Sequence, residues 1–304
     1  MTTTNTPIAA AIDGVTSPVP SKRRRKARAD AAFEPRLGGK ILKWLFLMCA
    51  AVITFFPFYA MVVIALKPET AISFPGSLVP TNLSFDSFET VLGAGQLWVW
   101  TKNTLIYSLV SVVLVLLLAS MAGYAFAKKR FPGREAMFWS FLAMVMVPFH
   151  VTLIPTFIMM AKVQGIGTYW GLILPSIANA QAVFLMRQFI QGLPDELFEA
   201  AKIDGAGEMR IFFRIVLPLC KPVMATLGVF VFLWHWNDFL WPMIAGRTSD
   251  MWTLTVGISS LQQQNVPLSN ILAGSVIALL PIMMAYLFAQ RYFQEGVAGT
   301  GIKG

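Results

Sequence analysis

The chain has 304 residues, 56% of them hydrophobic and only 13% charged, with a formal net charge of +9 and a mean hydropathy of +0.65. Soluble globular chains carry about 45–50% apolar and about 25% charged residues, so this composition excludes an ordinary soluble domain and places the chain in a bilayer. The basic balance does not call for nucleic acid, because the charge sits at the edges of apolar segments and in one N-terminal run.

In chain order, residues 1–40 are rich in Thr, Ala, Pro, Lys and Arg without apolar periodicity, which reads as a disordered basic tail. Its run from Lys22 to Arg28 reads as an anchor for the span that follows. That span is not a cleavable signal, since it is long, holds Pro57 and runs into Lys67-Pro68 without a small-residue cleavage site. A membrane-crossing helix needs about 20 mainly apolar residues. Six stretches qualify, at 41–66, 103–127, 136–160, 169–190, 223–245 and 271–290. The expected fold class is therefore an all-α integral membrane protein with six transmembrane helices.

Placing the N-terminus in the cytoplasm keeps Lys128, Lys129, Arg130, Arg134, Lys202, Arg210, Arg214, Lys221 and Lys303 inside as well, and leaves only Lys67, Lys102, Lys162 and Arg247 outside. Both termini are then cytoplasmic. Pro57, Pro148, Pro155, Pro175 and Pro281 fall within the spans, where each removes a backbone donor and is expected to kink its helix. Outward connections are expected at 67–102 and 246–270, each long enough to hold a partner or a short helix, with a tight glycine turn at 162–168.

The cytoplasmic loop at 191–222 has an ordered character. Gly192 and Pro194 end the fourth span, and Asp195 and Glu196 then suit the first turn of a helix, where the backbone favours anions. A short helix from about Asp195 to Asp204 is expected to set Leu197, Ala200, Ala201 and Asp204 on one side, with Gly205 supplying the turn that ends it. A second short helix is expected from Met209 to Ile215, closed by Pro218. Without further context such a segment could also be an amphipathic helix on the membrane surface.

In the fifth span, Asp238 is the carboxylate placed within an apolar stretch, where an ionisable group usually faces the bundle interior. His235, Trp236, Asn237 and Trp241 flank it. The two tryptophans also fit an interfacial aromatic belt. His150 reads as a packed or interfacial histidine, and Cys49 and Cys220 form no metal-like or redox-like spacing. Gly38-Gly39-Lys40 lacks the upstream glycine and following Ser or Thr of a phosphate-binding loop, so ATP hydrolysis by this chain is not expected. No zinc-protease or serine-hydrolase motif is present either, which argues against an intramembrane enzyme.

The segment Glu199-Ala200-Ala201, Asp204-Gly205, Ile215 and Leu217-Pro218 resembles the cytoplasmic signature loop of binding-protein-dependent ABC importer permeases. The segment from Trp236 to Pro242 and the ending from Gln290 to Gly304 resemble the carbohydrate-uptake branch, and within it the maltose-type permease subunit with a glycine-rich C-terminal tail. The resemblance covers nearly all of 41–304. It implies a type I importer permease domain over 41–290, a cytoplasmic tail over 291–304, and a place in the bacterial inner membrane.

The resemblance also implies partners and roles. An extracytoplasmic sugar-binding protein delivers a sugar substrate, a second and non-identical permease completes the path, and an ATPase dimer holds ATP and magnesium, so this chain binds no cofactor. Glu199, Ala200, Ala201, Asp204, Gly205, Ile215, Leu217 and Pro218 are implied to dock on the ATPase. Trp236, Asn237, Asp238 and Trp241 are candidates for the sugar path, with aromatic faces for stacking and polar groups for hydroxyls. The alternative is a stand-alone secondary transporter or channel, which would need ionisable residues distributed through the spans.

Overall fold

The computed structural model describes residues 37–68 and 72–300. Most of the basic tail expected over 1–40 lies outside the described residues, and 37–40 already belong to the first helix. Every regular element among the described residues is helical. The chain divides into two compact units, residues 1–57 and 58–304. The described part of the first unit is one helical run whose side chains, from Gly39 to Cys49 and on to Phe56, are almost all exposed. Such an apolar outer surface suits lipid or another membrane helix.

Helix α1 covers Leu37–Ala65 with Pro57 inside it. After it, the buried Lys67 ammonium donates to the Thr81 carbonyl at 3.0 Å, folding the following connection back on the helix end. Helix α2, Asp86–Gly93, follows. Gly95 then takes a φ of +73° and opens α3, Gln96–Lys128. The connection expected to reach residue 102 thus ends at 95, because Leu97 and Trp100 are buried anchors of a helix that starts early.

Three of the expected spans are not single helices. The third is α4, Arg134–Ala143, and α5, Phe149–Lys162, bent by 102°. Val147, forced out of helical space by Pro148, has a ψ of 116°. The fourth is α6, Tyr169–Ile173, and α7, Ala180–Gln191, with Pro175 in the turn between them and a bend of 50° across the pair. Asn179 caps α7 by accepting the Ala182 N–H at 2.9 Å.

The segment from 191 to 222 holds α8, Glu196–Ile203, and α9, Glu208–Ile211, which runs on through a π-helical turn at Phe212–Val216 and a further turn at Leu217–Leu219. Helix α10, Lys221–Asn237, departs from that run at 76°. The span expected over 223–245 stops at Asn237, where Asp238 turns extended, and resumes as the separate α11, Leu240–Ala245. Helix α12, Leu254–Gln263, lies in the connection expected over 246–270. Helix α13, Leu268–Thr300, continues past the boundary expected at 290. Three helical stretches are long and apolar enough to cross a membrane, Gly39–Ala65, Gln96–Lys128 and Leu268–Leu287, and the bent pairs bring the number to as many as six.

Within the second unit α3 is the central element and packs most extensively against α7 and α10. One core cluster joins Val115, Ala119 and Tyr124 of α3 to Met186 and Ile190 of α7, Phe198 of α8 and Val216. A second gathers Trp100, Trp236, Leu254 and Ala273, and a third Tyr107, Met160, Leu172 and Trp241. Gly123 allows the α3–α7 contact: a Cβ there would lie 2.7 Å from the Met186 Cβ and 3.0 Å from the Arg187 nitrogen. Gly123→Ala should therefore force the helices apart, at a cost of about 1–3 kcal/mol. The apparent Tm of the purified protein checks this, and an unchanged Tm would show that α7 yields freely.

Candidate functional site

Helix α8 is closed at its C-terminus by the bond pattern expected of a left-handed glycine stop. Gly205 has a φ of +72°. Its N–H donates to the Lys202 carbonyl at 3.0 Å, and the Ala206 N–H reaches the Ala201 carbonyl at 2.9 Å. These two bonds form a Schellman motif and satisfy carbonyls that the helix end would leave open. Asp204 is the residue before the turn, with its own N–H on the Ala200 carbonyl at 3.0 Å. The result is a short, defined helix rather than a pliant loop.

The end of α3 holds this helix on both sides. Lys128 donates to the Leu193 carbonyl at 2.7 Å and to Asp195 Oδ1 at 2.6 Å, with its ammonium 5.0 Å from the Phe198 ring centre. Lys129 pairs with Glu208, and Tyr124 donates to the same carboxylate at 3.0 Å. The Tyr124 ring meets Phe198 at 6.1 Å and Phe212 at 6.0 Å. Hydrogen bonding from Lys128 holds the Asp195 carboxyl below its ordinary value, and Lys129 does the same for Glu208. A depressed carboxyl contributes stability at neutral pH and loses it as pH falls below the ordinary carboxylate range. Both carboxylates are largely exposed, so these pairs add little energy and act chiefly by fixing geometry.

The residues expected to dock divide between two faces. Phe198 and Ala201 point into the chain's own core, whereas Leu197, Glu199, Ala200, Lys202, Ile203, Asp204 and Gly205 are exposed. The single face expected to carry Leu197, Ala200, Ala201 and Asp204 is therefore corrected, because Phe198 fixes the helix phase by packing on Tyr124 and takes Ala201 inward with it. Ile203 is 86% exposed, an unusual position for an isoleucine at the tip of a helix. Ile215 and Leu217 are half-buried, and Pro218 is exposed beside a groove lined by Leu116, Phe213, Leu217, Lys221 and Met224. The helix expected over Met209–Ile215 begins at Glu208 and changes to π-helical winding at Phe212.

The residues near the break in the fifth span also separate. Trp236 and Trp241 are each 2% exposed, and their indole N–H groups donate to the Ala278 carbonyl at 3.2 Å and the Leu172 carbonyl at 3.1 Å. Both indoles are enclosed in the chain's own core. Asn237 is exposed, with its amide on the Leu233 carbonyl at 2.7 Å. Asp238 accepts from the Tyr107 hydroxyl at 2.8 Å, and the backbone N–H groups of Trp241 and Leu240 also face it. The carboxylate thus starts α11 and ties it to α3. His235 beside it bonds the Val231 carbonyl at 2.7 Å and the Ser176 hydroxyl at 3.0 Å, with its ring edge-on to Tyr107. If the Tyr107–Asp238 bond is the main role of both groups, Tyr107→Phe and Asp238→Ala should each lower the Tm. The double variant should then unfold close to Asp238→Ala alone, whereas simple addition of the two losses would show separate roles.

Sequence reading missed two further constellations. Near the N-terminal end of α3, Trp100 Nε1 donates to the Ser249 carbonyl at 3.0 Å and Asn103 Nδ2 to the Asp250 and Trp252 carbonyls at 2.7 and 2.9 Å. Thr104 Oγ1 accepts the Leu254 N–H at 2.7 Å, and Asn103 Oδ1 accepts the Tyr169 hydroxyl at 2.6 Å. Their spacing of three and four residues on a helix was the available signal. Arg187 of α7, 7% exposed, grips both Glu135 oxygens at 2.9 and 3.0 Å and lies over the Phe138 ring at 3.8 Å. An arginine within an apolar span should have prompted the search for such a partner. Among the described residues no three His, Cys, Asp or Glu side chains gather as a metal would require.

Residues 115–299 match the family described as binding-protein-dependent transport system inner membrane component. The chain is 40% identical over 275 residues to the arabinooligosaccharides transport system permease protein AraQ of Halalkalibacterium halodurans, covering 87% of this chain and 98% of that one. It is 33% identical over 277 residues to the sn-glycerol-3-phosphate transport system permease protein UgpE of Yersinia enterocolitica, covering 88% and 99%. Among solved structures, a chain from a bacterial ABC transporter involved in the import of the acidic polysaccharide alginate superposes with a TM-score of 0.76 at 22% identity, over 91% of this chain and all of that one. That likeness shows a shared ABC-importer permease fold. With the family match spanning more than half its length, the chain belongs to the binding-protein-dependent transport system inner membrane components.

Proposed function

We propose that this chain is a transmembrane permease subunit of an ATP-driven sugar importer, and that it couples to its ATPase through α8. The observation that carries the coupling is the geometry of that helix: a glycine-terminated, doubly braced element whose outward face includes Ile203 and small Ala200. A docking element has to be stiff to transmit displacement, and this one is held at both flanks by α3. Relatives matched over 98% and 96% of their own length and named for arabinooligosaccharide transport support a sugar as cargo.

In this reading the bent helix pairs each count as one span, giving six, with both termini and α8 on the cytoplasmic side. The excess of Lys and Arg on that side supports the orientation. The residues before α1 and the C-terminal end of α13 lie on the cytoplasmic side, flanking the permease domain. A second, non-identical permease completes the path, and a sugar-binding protein loads it from outside. ATP and magnesium belong to the ATPase dimer, whose closure moves α8 with the 195–218 segment and switches access by rocking the bent helices. Glu199, Ala200, Ile203, Asp204 and Gly205 form the contact face, while Ala201 supports it from behind. Asn237, exposed beside the helix break, is the path residue of choice among the four first considered.

The test is to extract the tagged chain in mild detergent and identify its companions. A nucleotide-binding subunit and a second permease should copurify, and vesicles holding the assembly should take up sugar only with ATP and the binding protein. A chain that purifies alone and moves solute without ATP would overturn the reading.

A further inference from the structure

Helix α3 is bonded at both ends to segments that lie on opposite sides of its apolar stretch. At the outer end, Trp100, Asn103 and Thr104 make four hydrogen bonds to the main chain of Ser249–Leu254. The Trp100 ring also lies against Gly257, where a Cβ would sit 2.1 Å from it. That outer segment has one 3-10 turn at Ser249–Met251 and a Trp252 indole bond to the Gly246 carbonyl, and its bonds to α3 tie it to the central helix. Because the bonds run to carbonyls and an N–H, they hold the backbone path itself, whatever side chains the segment carries.

At the inner end, Lys128 and Lys129 hold Leu193, Asp195 and Glu208 on either side of α8. The Lys128 side chain is 10% exposed, so its position is set by these partners and by the Phe198 ring. Between the two ends the helix is unbroken, and Val115, Ala119 and Gly123 lie in close contact with α7 and α10. From Asn103 to Lys128 it spans about 37 Å at 1.5 Å per residue.

The geometry points to α3 as a rigid link that carries displacement of the outer Ser249–Leu254 segment to the coupling helix, with Asn103 and Lys128 as positioning residues at its two ends. The inference rests on the proposed function, since it joins the face that a binding protein meets to the face that an ATPase meets. A continuous helix cannot absorb a shift at one end by coiling, so a movement imposed on Ser249–Leu254 tilts or slides α3 and moves α8 with it. The bonds at each end are what prevent slip.

The experiment uses the full assembly of this chain, its second permease and the ATPase in lipid nanodiscs, with ATP hydrolysis read in the absence and presence of sugar-loaded binding protein. Asn103→Leu removes both donations to the outer segment while keeping the shape. It should leave basal hydrolysis unchanged and lower the stimulation by binding protein roughly tenfold. Lys128→Met should lower the stimulation similarly, and Lys128→Arg should retain it. Should Asn103→Leu fail to assemble, Thr104→Val removes the bond to the Leu254 N–H at nearly constant volume and is read in the same way.

Stimulation per assembled complex equal to wild type in these variants, even with a lowered Tm, would mean a merely structural role and overturn the link. A wild-type chain that purifies without any ATPase would instead remove the proposed function, and the link with it. The two failures are thus read from different preparations.

Discussion

Ile203→Asp should release the ATPase and reduce ATP-dependent uptake at least about a hundredfold, while the chain still inserts and folds. Ile203 contributes nothing to the chain's own core, being 86% exposed on the last turn of α8. In a docked complex its burial would contribute about 1.5–3 kcal/mol. An aspartate in its place forgoes that and adds the cost of an uncompensated charge in an interface. Each 1.4 kcal/mol is a factor of about ten in affinity, so the combined loss exceeds two decades. Ile203→Leu should behave as wild type, because the apolar surface is retained. Ala200→Trp should act like Ile203→Asp by holding the two surfaces apart, whereas a variant set that copurifies with the ATPase and transports normally would move the docking face elsewhere. The same readout separates this face from the inward one: Phe198→Ala should lower the Tm first, since Phe198 is packed on Tyr124.

Much of this site was legible because its signals are local. Asp195 and Glu196 after Pro194, the small residues Ala200 and Ala201, and Gly205 together specify a short capped helix whatever surrounds it. What they do not specify is its phase. In eight residues either Leu197 or Phe198 could turn inward, and the choice is made by Tyr124, an aromatic ring more than 70 positions earlier in the chain. The lysines at 128 and 129 look in sequence like ordinary membrane-edge charges, and only the fold shows them gripping Asp195 and Glu208.

The spans show the same division. α1, α3 and α13 are continuous apolar runs and were readable as helices, but α3 and α13 extend beyond the expected limits, since helical winding does not stop where hydropathy does. Pro148 and Pro175 were read as kinks, yet their spans break fully: Val147 before Pro148 is extended, and after the 3-10 turn that holds Pro175 the chain leaves helical winding at Asn179. Asp238 was correctly flagged as an ionisable group needing an explanation, but its partner, Tyr107, lies in another span and could not be chosen from spacing. Asn103 is the clearest loss. One asparagine in an apolar stretch reads as tolerance of a polar group, whereas its amide joins backbone carbonyls some 150 positions away.

Gly205 offers a test of whether α8 must end where it does. Its φ of +72° is open to glycine and tolerated by asparagine, but strongly disfavoured for a β-branched residue. No heavy atom lies within 4 Å of the position a Cβ would take, so a substitution there meets no steric block and acts through the backbone alone. Gly205→Val should cost about 1–2 kcal/mol in left-handed strain or more, and, if the turn opens, the two closing hydrogen bonds at about 1 kcal/mol each. That is enough to unravel the last turn of an eight-residue helix, and Ile203 and Asp204 would lose their fixed positions with it. Uptake and ATPase copurification should both fall roughly tenfold or more, while Gly205→Asn keeps most of both. Equal loss in the two variants would show that the partner itself needs the space at residue 205. Equal retention would show that a flexible end suffices, which would remove stiffness as the requirement for coupling. A loss confined to valine is the result that ties the left-handed turn to the transmission of movement.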